Sequence, residues 1–224
     1  MQIFNTAQVL LTPHCLLYGA AKSGKTRAAA TAPNPFFVSS DQGLSSIRER
    51  GLPYTVINNW NDTCQFLKWL ESSAEAKRYH TIVIDDLSEI AEQFLVEEKP
   101  KHKNTMQAYG RLNDEMMMLV RRLRAITSNF IITICKQERI KDEMTGGMIY
   151  APMIAGKAVA PMLPFLSGEV YHMESWTNPE TGTAYEVVRT KRDPIGQYEA
   201  GSRCGKLTDI EFADFTQIFQ KMLS

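Results

Sequence analysis

The 224-residue chain has no apolar run near the roughly 18 residues that a membrane-spanning helix needs, and its opening MQIFNTAQVL lacks the basic flank and apolar centre of a secretory leader. A cytoplasmic protein is expected. Neither charge is in excess: 25 Lys and Arg balance 25 Asp and Glu. No global field therefore draws in nucleic acid, acidic substrates or anionic membrane, and any such contact must come from local patches. Cysteine is scarce and scattered. Cys15, Cys64, Cys135 and Cys204 form no CxxC and no histidine pair stands at ligand spacing, which argues against zinc and leaves the thiols as small buried apolar residues. Internal repeats, low-complexity tracts and linkers are also missing, so one domain is expected over 1–224.

What is present is an alternation. Short apolar runs at 15–18, 36–38, 54–57, 82–84 and 130–135 are separated by helical patterns at 25–32, 44–50, 62–77, 87–98 and 106–127, the last with Leu112, Met116, Leu119 and Leu123 on one face. Strands separated by helices imply a parallel sheet with right-handed crossovers. Beyond Cys135 the pattern changes to two hairpins, one around Gly146-Gly147, the other joining 169–174 to 185–190 through Asn178-Pro179-Glu180-Thr181-Gly182. A short helix is expected at 157–166, an exposed loop at 193–206, and a closing amphipathic helix at 208–222 with Asp209 and Glu211 in its first turn. The expected fold is an α/β core over about 12–137, a mostly parallel sheet flanked by helices, extended by antiparallel strands and a closing helix over about 138–224.

One motif carries chemistry outright. Gly19-Ala20-Ala21-Lys22-Ser23-Gly24-Lys25-Thr26 is GxxxxGKT placed after a strand and before a helix. Its glycines let successive amides curl inward as an anion cradle at a helix N-terminus. Lys25 supplies a point charge for the β- and γ-phosphates of a nucleotide, and the Thr26 hydroxyl is a ligand for Mg2+. Such a metal needs a carboxylate at the end of a buried strand nearby. Thr81-Ile82-Val83-Ile84-Asp85-Asp86 supplies it, with Asp85 reaching the metal through water and Asp86 either its partner or the N-cap of the next helix.

Other signatures narrow the class. The NKxD base-recognition motif of GTPases is absent, and Lys136-Gln137-Glu138 stands at the end of the 130–135 strand instead. An arginine-rich lid of the kind nucleoside monophosphate kinases carry is also missing, since Lys99-Pro100-Lys101-His102-Lys103 is short and holds no arginine.

With YGAAKSGKT, FFVSSDQGL at 36–44, TIVIDD, QAYG at 107–110, IITICKQE and EVVRTKR at 186–192 in that order, the chain resembles the RecA-like core ATPases of phages, ATP-binding proteins linked to single-strand annealing and recombination. The resemblance spans nearly the whole chain. It implies ATP as substrate, Mg2+ as cofactor and self-association into a ring or filament. It implies a catalytic acid after the second strand, where Asp41 stands in place of the usual glutamate and Gln42 is a rival, Asp41 being equally a helix N-cap. It implies a γ-phosphate sensor at Gln137, or at Lys136 one register step away, and cations delivered across a subunit boundary by Lys191 and Arg192. Single-stranded DNA is the implied partner, with Lys101 and Lys103 in one segment and Arg139 and Lys141 in another as candidate contacts, and a single-strand-binding protein as a further partner. The Met116-Met117-Met118 run hints at a subunit contact. The rival functions are a nucleotide-gated loader or scaffold for replication proteins that never touches DNA, and a small-molecule kinase.

Overall fold

The computed structural model describes residues 14–41, 43–141, 146–156, 158–193 and 195–224. In chain order the strands are β1 (His14–Tyr18), β2 (Pro35–Ser39), β3 (Tyr54–Val56), β4 (Thr81–Asp85), β5 (Phe130–Lys141), β6 (Met148–Met153), β7 (Glu169–Thr177), β8 (Ala184–Arg189), β9 (Gly201–Ser202) and β10 (Ile210–Phe212). The helices are α1 (Lys25–Ala29), α2 (Trp60–Ser72), α3 (Leu87–Glu98), α4 (Thr105–Ala125), α5 (Leu163–Leu166) and α6 (Phe215–Leu223). Strands β3, β2, β4, β5, β1 and β7 lie side by side in that order and all run parallel. Beyond β7 the sheet continues through β8 and β10, both antiparallel to their neighbours, while β6 folds back on the far half of β5.

Every residue of β1 and β4 is buried, as near-continuous apolar strands at the centre of a parallel sheet must be. The side chains alternate between two cores. Leu16, Tyr18, Ile82 and Ile84 meet α2, α3 and α4 on one face. Cys15, Leu17 and Val83 meet α1, α6 and the 44–50 segment on the other. Four helices start on side-chain caps: Asn59 accepts from Asp62 N, Asp86 from Glu89 N, Asn104 from Met106 N and Asp214 from Thr216 N. Each satisfies an amide that has no partner within its helix. No helix among the described residues is long and apolar enough to cross a membrane.

Several local expectations are corrected. The 44–50 segment is a 3-10 helix, ended by Gly51 in left-handed backbone at φ 60°. The helix expected at 157–166 shrinks to a 3-10 turn at 160–162 and the single turn of α5, because Pro161 and Pro164 remove two amide donors; Lys157 lies outside the described residues. The closing helix starts only at Phe215. Residues 210–212 are a strand on β8, so Asp209 and Glu211 are not in a helical first turn. The 193–206 segment is no open loop: Asp193 is buried and accepts from Tyr198 N, and β9 pairs with β7. Strand β7, grouped by sequence with the antiparallel extension, pairs in parallel with β1. Cys15 and Cys135 are buried as expected, whereas Cys64 and Cys204 are only half-buried.

Candidate phosphate-binding site

Residues 19–24 turn from the end of β1 into α1 with Lys22 at φ 62° and Gly24 at φ 93°. Left-handed backbone at two alternate positions folds the loop on itself as a shallow nest, and Gly24 meets that demand without steric cost. Lys25 arches back over the loop and donates to Gly19 O at 2.9 Å and Ala20 O at 2.8 Å. Burial pulls its ammonium below the usual lysine value, against the opposing pull of Asp85 and Asp86. The Ser23 hydroxyl is buried without a partner inside the loop, 3.0 Å from where a Cβ on Gly19 would stand. An orphaned donor, a lysine spent on carbonyl oxygens and a helix N-terminus are together a receptor for an anion.

Thr26, one residue further, donates to Asp85 Oδ2 at 2.7 Å. The bond crosses between elements that are not adjacent, since β5 separates β4 from β1. Burial pushes the Asp85 carboxyl up to about 6, the Thr26 bond opposing and Asp41 and Asp86 reinforcing the shift. Asp86 is likewise pushed up to about 6 by burial, yet its Oδ1 caps α3 at 2.6 Å. By sequence Asp86 stands between metal partner and cap; its contacts make it the cap. Ser40 locks this corner, donating to Asp86 O and accepting from Asp86 N, both at 2.9 Å. The residues fit Mg2+: that ion keeps most of its waters and takes one or two protein oxygens plus phosphate. Thr26 and Asp85 are such a pair, and no cluster of three or more His, Cys, Asp or Glu among the described residues offers a cage made of protein alone.

Asp41 lies two residues past Ser39, which is the register partner of Asp85. It is exposed, and Oδ1 accepts from Gly43 N at 2.7 Å, so it turns its own loop and does not cap the 44–50 helix, whose cap is Gly43. Gln42 lies outside the described residues. On β5, Lys136 is drawn to α3, donating to Glu89 at 2.8 Å and Glu92 at 3.3 Å. Gln137 points elsewhere and meets His172 Nε2 at 2.8 Å.

Lys191 and Arg192 follow the end of β8. Arg189 is paired with His172, itself level with Tyr18, and β8 runs antiparallel, so the chain leaves this point away from the phosphate loop. Lys191 pairs with Asp209 at 2.7 Å, both exposed. Of the DNA candidates, Lys101 is tied to buried Glu98, which also gathers His102 and Arg111. Lys103 is exposed; Arg139 packs over the Tyr150 ring and Lys141 is exposed on the same β5–β6 hairpin, whose tip at 142–145 is outside the described residues. Met116 is in the core, and Met118 is partly exposed.

Sequence reasoning missed a buried group beside the loop. His172 bridges Gln137 and Glu174, Glu174 binds Arg189, and the His172 ring stacks on Tyr198. The available signal was local: His172 and Glu174 stand at alternate positions of one strand, and the hairpin register puts Arg189 opposite. Glu186 was also missed. It pairs with Arg27 on α1, and its carboxylate occupies the place a Cβ on Gly24 would take.

A phosphate nest leading into a helix, bonded through its threonine to an acid on the strand beyond β5 of a mostly parallel α/β sheet, is the arrangement of a P-loop nucleotide-binding protein. Residues 12–204 match the family described as an AAA domain, and the chain belongs to that family of P-loop ATPases. Among solved structures it is similar to a KaiC-like protein from the hyperthermophilic archaeon Pyrococcus horikoshii OT3, at 16% identity over 80% of this chain and 77% of that one, with a TM-score of 0.40. No curated protein matches it.

Proposed function

We propose that this protein is a Mg2+-dependent ATPase that cleaves the β–γ phosphoanhydride of ATP and works as an assembly on single-stranded DNA in annealing or recombination. The observation that carries the reading is the Thr26–Asp85 bond of 2.7 Å at the mouth of the 19–26 loop. On binding ATP, Lys25 exchanges its two carbonyl partners for phosphate oxygens, and Ser23 gains the acceptor it lacks. Mg2+, held by Thr26 directly and by Asp85 through water, would neutralise charge on the β- and γ-oxygens. Water then attacks the γ-phosphorus, its proton passing to Asp41 while the bond to the bridging oxygen breaks and ADP leaves. Gln137 contacts the γ-phosphate, and Lys191 and Arg192 serve a neighbouring subunit's triphosphate. DNA contact rests on Lys103, Arg139 and Lys141, because Lys101 is already spent on Glu98.

Calorimetry with Mg·ATP tests the site, and filter retention of a labelled oligonucleotide tests the partner. Lys25→Ala is expected to bind Mg·ATP at least about tenfold more weakly, since it removes charge-assisted bonds. Retention is expected only with ATP and to fall with salt. The Arg139→Ala, Lys141→Ala double variant should lower the logarithmic salt slope by about 0.7 for each DNA phosphate that it no longer neutralises. Hydrolysis without ATP-dependent retention would overturn the DNA reading in favour of a nucleotide-gated loader or scaffold. Turnover that rises with added nucleosides and never with DNA would point to a phosphotransferase.

A further inference from the structure

The carboxylate of Glu186 stands against the phosphate loop itself. Its oxygens lie 2.6 and 2.9 Å from where a Cβ on Gly24 would stand, so the acid excludes a side chain at 24 as firmly as the left-handed backbone at φ 93° does. Arg27, in the first turn of α1, holds the group through Oε1, and Oε2 has no hydrogen-bond partner among the described residues. Arg27 is exposed and Glu186 half-buried, so the pair lines an open rim of the loop.

Strand register brings an acid from so far along the chain to this place. Tyr18 is level with His172, and a Cβ on Gly19, the next residue, would meet Met173 Cβ at 2.9 Å. Ser175, two residues further along β7, faces Glu186 across the β7–β8 hairpin. Glu186 therefore flanks the loop on the β7 side of β1, whereas Asp85 flanks it on the opposite side, beyond β5.

The two acids mark opposite ends of a bound triphosphate. In a GxxxxGKT loop the amides cradle the α- and β-phosphates, the lysine reaches β and γ, and the threonine hydroxyl serves the metal. The Thr26–Asp85 bond fixes the metal and γ end. The first helical bond of α1 runs from Ala28 N to Gly24 O at 2.8 Å, which leaves the Arg27 amide as the last N-terminal donor of the cradle. The α-phosphate and its nucleoside thus leave on the Arg27 side, past Glu186. A carboxylate on the rim of an anion cradle repels phosphate, and only donors on the ligand offset that cost. Phosphate oxygens accept; the donors nearest the α-phosphate are the ribose hydroxyls. A carboxylate has the lone pairs to accept from both, as the acid of dinucleotide-binding folds accepts from a 2′-hydroxyl.

We propose that Glu186 is a sugar-specificity residue that accepts hydrogen bonds from the ribose hydroxyls, so that the site selects ribonucleotides over deoxyribonucleotides, with Arg27 as the positioning residue that fixes the carboxylate. The proposal rests on the ATPase reading and adds the sugar to it.

The test is calorimetry of the full chain with Mg2+ and nucleoside diphosphates, which bind without turnover. The parent should bind ADP about tenfold more tightly than 2′-deoxy-ADP or 3′-deoxy-ADP, the worth of one hydrogen bond to a charged group. In Glu186→Ala both ratios should fall to about one. Loss of the negative charge shifts the affinity of every diphosphate alike and cancels in the ratio. Glu186→Gln keeps an acceptor of the same shape without the charge and should retain a preference of about threefold, which also decides the matter if the alanine variant does not fold. A parent indifferent to the sugar, or a Glu186→Ala that keeps the parent's preference, overturns the proposal while the nucleotide site stands. So does a Glu186 dependence that appears with inosine diphosphate, which lacks the 6-amino donor of adenine, and not with the deoxy sugars. Nucleotide affinity that is indifferent to Lys25→Ala overturns the underlying ATPase reading instead.

Discussion

Asp85 is pulled in opposite directions by folding and by metal binding. Its carboxyl moves from an ordinary 3.8 to about 6, burial being the largest cause. Below about pH 4 both folded and unfolded chains protonate it; between 4 and 6 the folded chain holds the proton more tightly; above 6 it carries an ion that the unfolded chain would hold more cheaply. This group's contribution to stability therefore falls as pH rises from about 4 to about 6, and the cost, roughly 2–3 kcal/mol, is complete above it. Asp85→Asn keeps an acceptor for Thr26 and removes the charge. Scanning calorimetry of the nucleotide-free protein should find its melting temperature raised by about 4–10 °C at pH 7.5. The gain should shrink to well under half by pH 4.5, and Asp86, pushed up by the same burial, should retain its own share of the pH slope. Mg2+-dependent turnover should fall about 10–100-fold, the usual loss when a group that orients a metal's shell is removed. A destabilised Asp85→Asn at pH 7.5 would contradict the stated origin of the cost.

At the level of elements, the closing segment shows where pattern reading works and where it fails. Phe212 continues the helical spacing of Phe215 and Phe219, so periodicity reads one helix through both. In the fold, Ile210 and Phe212 are exposed on an edge strand while Glu211 points inward to Lys221 at 2.5 Å, an inverted alternation that no hydropathy count would assign to a strand. The break is Asp214, whose carboxylate accepts from Thr216 N and Gln217 N. Phe215 N and the Thr216 hydroxyl then bond Thr31, docking α6 onto the end of α1. Asp214→Ala should cost about 1 kcal/mol, or about 2–4 °C in melting temperature, with the Mg·ATP dissociation constant unchanged. A loss of nucleotide affinity would show that α6 supports the phosphate loop through α1. The phosphate loop, Asp85 and α3 were legible because their determinants lie within a few residues of one another: a nest needs its glycine, and a helix needs its cap. The contact between Gln137 and His172 was not, because 35 residues and strand β1 separate them and only the strand order brings them together.

Strand order also governs the behaviour of the whole molecule. Placing β5 between β1 and β4 sets Gln137 beside the phosphate loop, and placing β7 on the other flank of β1 lets its hairpin with β8 reach past the loop and return. The return carries Arg189 level with Tyr18 and then moves on, so Lys191 and Arg192 leave their own triphosphate site behind. A lysine paired with Asp209, both exposed, gains little stability from the bridge, because water and salt screen such pairs. It is therefore free to exchange Asp209 for a phosphate presented by another copy of the chain, a group of higher charge in a drier setting. If Lys191 acts this way, hydrolysis requires two chains, and ATPase rate per subunit should climb with protein concentration until assembly saturates. Lys191→Ala should flatten that dependence at a rate about 10³-fold or more below the saturated parent, the scale seen for a cation delivered in trans. Its Mg·ATP affinity at low concentration, and its melting temperature, should match the parent's, because the residue touches neither its own loop nor the core. A parent whose specific activity is constant across a hundredfold range of concentration would place every catalytic group within one chain and leave Lys191 as a surface partner of Asp209.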